Sequence, residues 1–336
     1  MPAQRLVDRV PVVPPETLVA DLAPPPRFAG ARFATYLPDP DHPSQERAVA
    51  LLRSFAGTLA PPRRRGLLGR SKARAGRPGV YLDGGYGVGK THLLAALWHE
   101  SPEPRAYGTF VELTHLVGAL GFGPTVEALR DHRLLAIDEF ELDDPGDTVL
   151  VSTLLSKLVE AGVRVAATSN TLPGSLGEGR FAAQDFLREI QGLAAHFEPV
   201  RVEGEDYRHR GQPEAPPPVL DEVVRERVAA VDGASCDDAD ALLEHLSRLH
   251  PSRYGALVEG VRLVGLIGVR PVADQAAALR LVVLADRLYD RDVPVLASGV
   301  PLDRLFPPEL LAGGYRKKYL RAVSRLTALA RQAEVR

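Results

Sequence analysis

The stretch YLDGGYGVGKTHLLAALW, residues 81–98, places four glycines, a lysine and a threonine between two apolar runs. Its segment Gly84 to Thr91 fits the phosphate-loop pattern G-x-x-x-x-G-K-[ST] at every fixed position. The preceding run predicts a buried strand and the following run a helix, which is the context that this pattern requires. The alternative is a glycine-rich turn with an incidental lysine. Because both flanking runs fit the context of the pattern, we predict an oligophosphate site at this loop.

Each residue type in the loop has a physical reason to face a phosphate. Glycines let the loop take positive φ angles and bring backbone N–H groups close to the anion. The helix that begins near Lys90 directs its positive N-terminal end at the same point. Lys90 can reach the β- and γ-phosphates, and the Thr91 hydroxyl can bind Mg²⁺. The predicted nucleotide-binding set is Gly84, Gly85, Tyr86, Gly87, Val88, Gly89, Lys90 and Thr91.

From residue 80 to about 203, short apolar runs alternate with longer segments of helical periodicity. Strands that alternate with helices of this length predict an α/β fold, with a parallel sheet covered by helices on both faces. Ligands of such sheets collect at the carboxyl ends of the strands. We therefore expect polar side chains at the strand ends to face the phosphate loop.

Two later strands end in polar residues that suit phosphate chemistry. The run LLAIDEF ends in Asp138 and Glu139, and the run VRVAATSN ends in Asn170. We expect Asp138 to assist Thr91 in holding Mg²⁺ and Glu139 to polarise an attacking water. Asn170 would sense the γ-phosphate or the water. Taken alone, an acidic pair is most often a helix cap or a solvated turn, and asparagine is common in turns.

Composition bounds the class of protein. Of the 336 residues, 45% are apolar and 25% charged, the formal charge is −2, and Cys236 is the single cysteine. These values are typical of a soluble globular protein, and one cysteine allows no internal disulfide. The sequence shows no apolar run of about 20 residues, the length of a membrane span. We expect a cytoplasmic protein without a transmembrane segment. The slightly negative charge argues against nucleic acid as a partner.

The chain divides into three parts by pattern. Residues 1–79 form an N-terminal segment with one helix and a basic linker, 80–210 the P-loop core, and 211–336 a mostly helical lid with short extended runs. The basic stretch 61–79 suggests either an acidic partner or a solvated loop, and charge runs are more often solvated.

The three motifs, in this order, resemble those of the AAA+ ATPases. The segments IDEFELDD, ATSN, FLREI, EDYRHR, LYDRDVPVLASG and YLRAVSRL are similar, more narrowly, to the ZapE-like cell-division ATPases of the AFG type. The resemblance runs from about Gln45 to Leu326. It implies an AAA+ P-loop NTPase core with a helical lid, ATP and Mg²⁺ as ligands, ATP hydrolysis, a nucleotide-dependent homo-oligomer, and FtsZ as the protein partner.

The resemblance also implies roles for residues outside the three motifs. The family pattern places lid arginines at Arg321 and Arg325, which lie four residues apart on one helix face. We expect Arg325 to meet the γ-phosphate, the alternative being a solvated basic face. Gln45 would touch the adenine, although an exposed helix glutamine is the simpler interpretation. For the arginine that acts on a neighbouring subunit we choose Arg180 over Arg188, in a chain that holds 36 arginines.

Three functions fit these features. The first is a mechanical ATPase that remodels a protein partner in bacterial cell division. The second is a nucleic-acid-associated AAA+ ATPase of the helicase-loader type, which the basic stretch 61–79 supports and the overall charge opposes. The third is a nucleotide-gated scaffold with negligible turnover, against which an intact Glu139 argues.

Overall fold

The computed structural model describes residues 5–59, 77–85, 87–142, 145–172, 187–204 and 214–335. Contacts along the chain divide it into two compact units. One unit, called the core here, comprises residues 15–24 and 28–210. The other, called the C-terminal unit, comprises residues 1–14, 25–27 and 211–336.

The core alternates strands and helices, as its sequence pattern predicts. Its strands are β1 (Gly79–Asp83), β2 (Arg105–Thr109), β3 (Leu134–Asp138), β4 (Arg164–Ser169) and β5 (Phe197–Arg201). Its helices are α1 (Pro15–Ala20), α2 (Pro43–Leu59), α3 (Lys90–Glu100), α4 (Phe110–Leu120), α5 (Phe122–Leu129), α6 (Pro145–Glu160) and α7 (Leu187–Ala195). All neighbouring strands pair in parallel, in the order β2-β3-β4-β1-β5.

Successive residues of β1 point to opposite faces of this sheet, and each face is buried. Tyr81 packs in a cluster with Leu113 of α4 and with leucines of α6. Val80 and Leu82 pack in a second cluster with leucines of α2 and α3. A parallel strand buried on both faces explains the unbroken apolar run in its sequence. The predicted parallel sheet with helices on both faces is confirmed.

The C-terminal unit contains helices around a second, smaller parallel sheet. Its strands are β6 (Ala234–Asp238), β7 (Leu263–Val269) and β8 (Val295–Gly299), paired in the order β6-β7-β8. Its helices are α8 (Asp221–Ala229), α9 (Ala239–Arg248), α10 (Tyr254–Leu257), α11 (Gln275–Asp290), α12 (Pro308–Leu311) and α13 (Arg316–Val335). Strands β7 and β8 are the extended runs that the sequence indicated, whereas β6 was not expected.

The N-terminal residues complete the C-terminal unit. The backbone N–H groups of Leu6 and Val7 donate to the two carboxylate oxygens of Asp237, at 3.0 and 3.1 Å. Leu6 is fully buried in the apolar cluster of this unit. The guanidinium of Arg9 donates to the carbonyl oxygens of Leu257 and Glu259, both at 3.0 Å.

The expected three-part division therefore differs from the structure at its N-terminal end. Residues 1–79 are not one segment, because 1–14 and 25–27 belong to the C-terminal unit and the rest to the core. The N-terminal residues belong to the C-terminal unit because Leu6 is buried there and because Leu6 and Val7 bond to Asp237. No local sequence pattern indicates these contacts. The chain passes from the core to the C-terminal unit after residue 210.

Candidate functional site

The phosphate loop joins β1 to α3 and has no room for side chains at two of its glycines. A Cβ atom at Gly84 would lie 2.1 Å from the carbonyl oxygen of Val202. At Gly89, where φ is +87°, it would lie 2.5 Å from a ring carbon of Tyr36. Glycine is therefore required at both positions. Gly85, Gly87 and Val88 are described with them, whereas Tyr86 lies outside the described residues.

Lys90 opens α3 with its ammonium group inside the loop. Its side chain is 9% exposed, and Nζ donates to the carbonyl oxygens of Gly84 at 2.9 Å and Gly85 at 2.5 Å. The same ammonium donates to Oδ1 of Asn170 at 2.9 Å. The structure thus joins the loop lysine, which follows β1, to the polar end of β4, the third strand further along the chain.

Tyr36 contacts two residues of the loop. Its hydroxyl donates to the carbonyl oxygen of Val88 at 2.9 Å, and its ring lies against Gly89. Sequence reasoning missed this residue because nothing in the proline-rich N-terminal segment marks it as a loop contact. The contact of its ring with Gly89 is a second reason why position 89 must lack a side chain.

Asp138 at the end of β3 is buried and accepts three side-chain hydrogen bonds. The Thr91 hydroxyl donates to Oδ1 at 3.2 Å, which brings together the two predicted Mg²⁺ residues. The Tyr107 hydroxyl, from β2, donates to Oδ2 at 3.0 Å. The Thr168 hydroxyl, from β4, donates to Oδ1. Both carboxylate oxygens are therefore oriented by residues of neighbouring elements.

Glu139 adopts a backbone conformation that is rare for a residue with a side chain. Its φ angle is +53°, in the left-handed region, which costs roughly 1–2 kcal/mol for an L-residue. The following residue, Phe140, is fully buried and packs edge-on against Tyr81, Phe110 and Phe197. The buried ring fixes the chain direction just after Glu139. Backbone strain of this kind is concentrated at functional sites.

Thr168 and Tyr107, like Tyr36, are residues of this site that sequence reasoning missed. Thr168 stands in the strand end that carries Asn170, and its hydroxyl contacts both Asp138 and the backbone N–H of Glu139. The signal that could have found them is the strand order, because β2 and β4 flank β3. One sequence without that order does not show which polar residues lie beside the acidic pair.

Thr171, the residue after Asn170, is held by one local and one long-range hydrogen bond. The backbone N–H of Thr171 donates to the Ser169 hydroxyl at 3.0 Å, and the Tyr81 hydroxyl donates to the carbonyl oxygen of Thr171 at 2.9 Å. Burial raises the pKa of the Tyr81 phenol well above its usual value, so this donor stays protonated. The position of Asn170 is thereby fixed from both sides.

Gln45 lies near the loop, and its side chain is hydrogen-bonded to backbone groups of the protein. Its side chain is 3% exposed; its amide nitrogen donates to the carbonyl oxygen of Glu203 at 2.8 Å, and its oxygen accepts from the N–H of Asp39 at 2.9 Å. The segment it holds packs on the loop, since a Cβ at Gly204 would lie 3.0 Å from Val88. The adenine contact expected of Gln45 stays a prediction, and the exposed-helix alternative does not match its burial.

The expected arginines lie in different settings. Arg180 lies outside the described residues, and Arg188 is exposed in the first turn of α7. Arg321 pairs with Asp286 at 2.9 Å, and Arg325 pairs with the same carboxylate. Burial would raise the pKa of Asp286, but these two guanidinium charges outweigh it and lower the pKa. The role of Arg325 at the γ-phosphate stays a prediction.

The described residues contain neither a candidate membrane span nor a cluster of metal-ligating side chains. Within the described ranges, no helix combines the length and the apolar character that a bilayer crossing demands. Over the same ranges, His, Cys, Asp and Glu side chains form no group of three or more with metal-site spacing. A Mg²⁺ ion held by one carboxylate, one hydroxyl, waters and phosphates needs no such group.

A phosphate loop after β1, an oriented acidic pair after β3 and a polar end on β4 define a P-loop NTPase core of the AAA+ class. The sequence model of the AFG1-like ATPases matches residues 12–226 and 214–336. The chain therefore belongs to the AFG1-like ATPase family.

Two curated proteins and one solved structure illustrate the similarity. The chain is 30% identical over 144 residues to cell division protein ZapE of Escherichia coli (strain K12), covering 39% of this chain and 38% of ZapE. It is 27% identical over 230 residues to lactation elevated protein 1 homolog B of Danio rerio, covering 57% and 45%. It thus spans less than half of each relative. AMPPCP-bound DnaA from Aquifex aeolicus is 15% identical, with a TM-score of 0.39, covering 61% of this chain and 56% of that one.

Proposed function

We propose that this protein hydrolyses ATP in the presence of Mg²⁺ and uses the reaction to remodel a protein partner. The observation that carries the proposal is the convergence of three strand ends on one point. Lys90 contacts Asn170, and Thr91 contacts Asp138, whose next residue is Glu139. A base, a metal-binding pair, a phosphate-binding lysine and a polar sensor are the parts that triphosphate hydrolysis needs.

The loop and Lys90 would bind the triphosphate. Lys90 at present donates to two loop carbonyls and to Asn170. Phosphate oxygens are stronger acceptors for an ammonium group than neutral carbonyls, so ATP would draw Nζ away from some of these bonds. Because Asn170 shares this ammonium, its amide would change partners with the state of the γ-phosphate.

Thr91 and Asp138 fit a Mg²⁺ ion by their chemistry. They supply a hydroxyl and a carboxylate, the hard oxygen ligands that Mg²⁺ prefers, and their oxygens lie 3.2 Å apart. The ion, when bound, would neutralise negative charge on the phosphates. Tyr107 and Thr168 hold the carboxylate of Asp138 by both oxygens and so fix the direction in which it can bind.

Glu139 would act as the base. Its carboxylate would accept a proton from a water molecule as that water attacks the γ-phosphorus, and the bond from phosphorus to the bridging oxygen would break to release ADP and phosphate. The fixed backbone around Glu139 holds the base in a preset direction, which lowers the reorganisation needed in the transition state.

Nucleotide binding is tested with two lysine variants. Lys90→Ala should lose measurable ATP affinity in calorimetry with Mg²⁺ present, because the only charged group inside the described loop is removed. Lys157→Ala is the matched control, since Lys157 is exposed on α6 and pairs there with Glu160. It should bind ATP as the wild type does. Unchanged affinity in Lys90→Ala would overturn the proposed function.

The partner and the assembly state form the finer part of the proposal. We propose FtsZ as the partner, in bacterial cell division, because the family resemblance implies it and a relative from E. coli carries the name cell division protein. Glu139→Gln should retain ATP and hold partner and neighbouring subunits together in co-purification, while Lys90→Ala should lose both. Recovery of monomeric Glu139→Gln without FtsZ would contradict this part.

The arginine supplied by a neighbouring subunit is tested by mixing. If Arg180 acts in trans, an inactive Arg180→Ala protein should regain turnover when mixed with Glu139→Gln, since each variant contributes what the other lacks. Arg188→Ala should hydrolyse ATP by itself. An active Arg180→Ala protein together with an inactive Arg188→Ala protein would transfer the role to Arg188.

The basic stretch 61–79 favours one second candidate, an ATPase of the helicase-loader type. Residues 60–76 lie outside the described ranges, so its support is the sequence alone. Single-stranded DNA should then stimulate ATP hydrolysis, and the stimulation should fall steeply with salt concentration because phosphate contacts release counterions.

A further inference from the structure

We propose that Thr168 is the positioning residue of the acidic pair, and that its single hydroxyl sets the direction of the Glu139 base. The proposal rests on the proposed ATP hydrolysis. It adds a residue on a third strand, to which none of the three motifs assigns a role.

The hydroxyl of Thr168 bonds to both members of the pair. It donates to Oδ1 of Asp138, and it accepts from the backbone N–H of Glu139 at 3.1 Å. A hydroxyl has one donor and two acceptor positions, so one oxygen can make both bonds at once. Thr168 is 2% exposed, which shields both bonds from competing water.

The backbone of Thr168 adds a third bond to the same turn. Its carbonyl oxygen accepts from the N–H of Phe140 at 2.7 Å. Thr168 therefore contacts three consecutive residues, Asp138, Glu139 and Phe140. A non-glycine residue with a φ angle of +53° is maintained only where its surroundings over-determine it. The bond to the Glu139 N–H and the burial of Phe140 provide that constraint.

The two partners of the hydroxyl depend on it unequally. Asp138 also accepts from Thr91 and Tyr107, so it retains two side-chain donors without Thr168. The Glu139 N–H would lose the acceptor that holds the turn. Loss of the hydroxyl should thus affect the base more than the metal-binding pair, and turnover more than affinity for ATP.

The matched variants are Thr168→Val and Thr168→Ser. Valine keeps the branched shape and removes the hydroxyl, whereas serine keeps the hydroxyl and removes the methyl group. We expect Thr168→Val to lower kcat by about 10- to 100-fold, with the Kd for ATP and Mg²⁺ within about threefold of wild type. We expect Thr168→Ser to return kcat to within about threefold of wild type. A threonine needed only for packing would give the reverse order.

Tyr107→Phe separates an effect on Asp138 from an effect on Glu139. It removes a hydroxyl from the carboxylate of Asp138 without touching the Glu139 backbone. We expect it to raise the Mg²⁺ concentration for half-maximal turnover, with kcat recovering at saturating Mg²⁺. Thr168→Val should not recover. If Thr168→Val folds poorly, judged by its melting temperature, Thr168→Ala takes its place, because alanine also removes the hydroxyl and should show the same loss of kcat relative to Thr168→Ser.

The outcomes that overturn the proposal are distinct. The positioning role would be removed by any of three results: wild-type turnover in Thr168→Val, recovery of that variant by Mg²⁺, or a Thr168→Ser protein as slow as Thr168→Val. As long as the wild-type protein hydrolyses ATP, none of these results affects the proposed function. A wild-type protein that neither binds nor hydrolyses ATP would remove the proposed function, and the role of Thr168 with it.

Discussion

In the core, the loop lysine and threonine that follow β1 contact polar side chains at the ends of β3 and β4, whereas in the C-terminal unit the aspartates that end β6 and follow β7 cap their own helices. Asp238 ends β6 and accepts from the N–H of Ala241 in α9 at 2.9 Å. Asp274, after β7, accepts from the N–H of Ala277 in α11 at 2.7 Å. In the core, Asp138 instead accepts from side chains of three other elements.

The difference teaches that a parallel sheet by itself does not make a site. Both sheets have strands followed by helices, and in both an aspartate ends a strand. Among the residues that the structure describes, the core alone combines a buried carboxylate with a glycine-bounded loop and a lysine that reaches a neighbouring strand end. Fold alone does not imply function, and the contacts between strand ends are what distinguish the core sheet from the second sheet.

The largest expected effect contrasts the carboxylates at the two strand ends. Glu139→Gln should lower kcat about a thousandfold, because an amide cannot accept the proton of the attacking water. Asp238→Asn should leave turnover unchanged, since asparagine caps a helix about as well as aspartate. Phosphate release from purified protein measures both. A tenfold loss in Asp238→Asn would mean that the second sheet takes part in the reaction and would break the contrast.

The next effect concerns stability and the charges within the C-terminal unit. Asp286→Asn removes the carboxylate that pairs with Arg321 and Arg325, all three of which are less than a fifth exposed. Breaking such a pair from one side should lower the free energy of unfolding by about 3 kcal/mol. The control Glu244→Gln breaks an exposed pair with Arg248 and should cost less than about 1 kcal/mol. Equal losses in urea denaturation would contradict the burial argument.

The smallest expected effect is a difference in how the stabilising contributions of two aspartates of the C-terminal unit, Asp286 and Asp237, depend on pH. The pKa of Asp286 is lowered, so its stabilising contribution is present above the unfolded value of about 4 and is lost as pH falls through the folded pKa. Burial raises the pKa of Asp237, despite the N–H donors of Leu6 and Val7. The contribution of Asp237 to the free energy of unfolding is therefore present below about pH 4, the unfolded pKa, and is lost as pH rises through the folded pKa.

Denaturation at several pH values checks these signs. The gap in unfolding free energy between wild type and Asp286→Asn should narrow as pH falls below 4. The gap between wild type and Asp237→Asn should narrow as pH rises above 4. Parallel pH profiles for the two variants would show that the charges around Asp286 do not lower its pKa in solution.

The parts of the molecule that sequence reasoning predicted are those with a local signal. The phosphate loop follows from eight adjacent residues, and strands buried on both faces follow from unbroken apolar runs. The acidic pair and Asn170 follow because they stand directly after such strands. Tyr107 and Thr168 could not be found in the same way, since their contacts with Asp138 depend on which strands lie side by side.

The C-terminal unit shows two further limits of the sequence. Strand β6 has the sequence ASCDD, which has neither an apolar run nor an alternation to mark it, and its pairing with β7 is what makes it a strand. The N-terminal residues join the same unit through bonds between Leu6 and Asp237, which are 231 positions apart. Contacts at that separation leave no local pattern to read.

The same connectivity affects how the protein can be dissected. The polypeptide changes unit after residues 14, 24, 27 and 210, so no single cut separates one intact half from the other. A recombinant fragment that starts at residue 211 would lack the leucine that fills its interior, and its Asp237 would face solvent. Fusions, truncations and protease mapping of this family member should therefore keep the first 27 residues attached, or graft them onto the fragment through a designed linker.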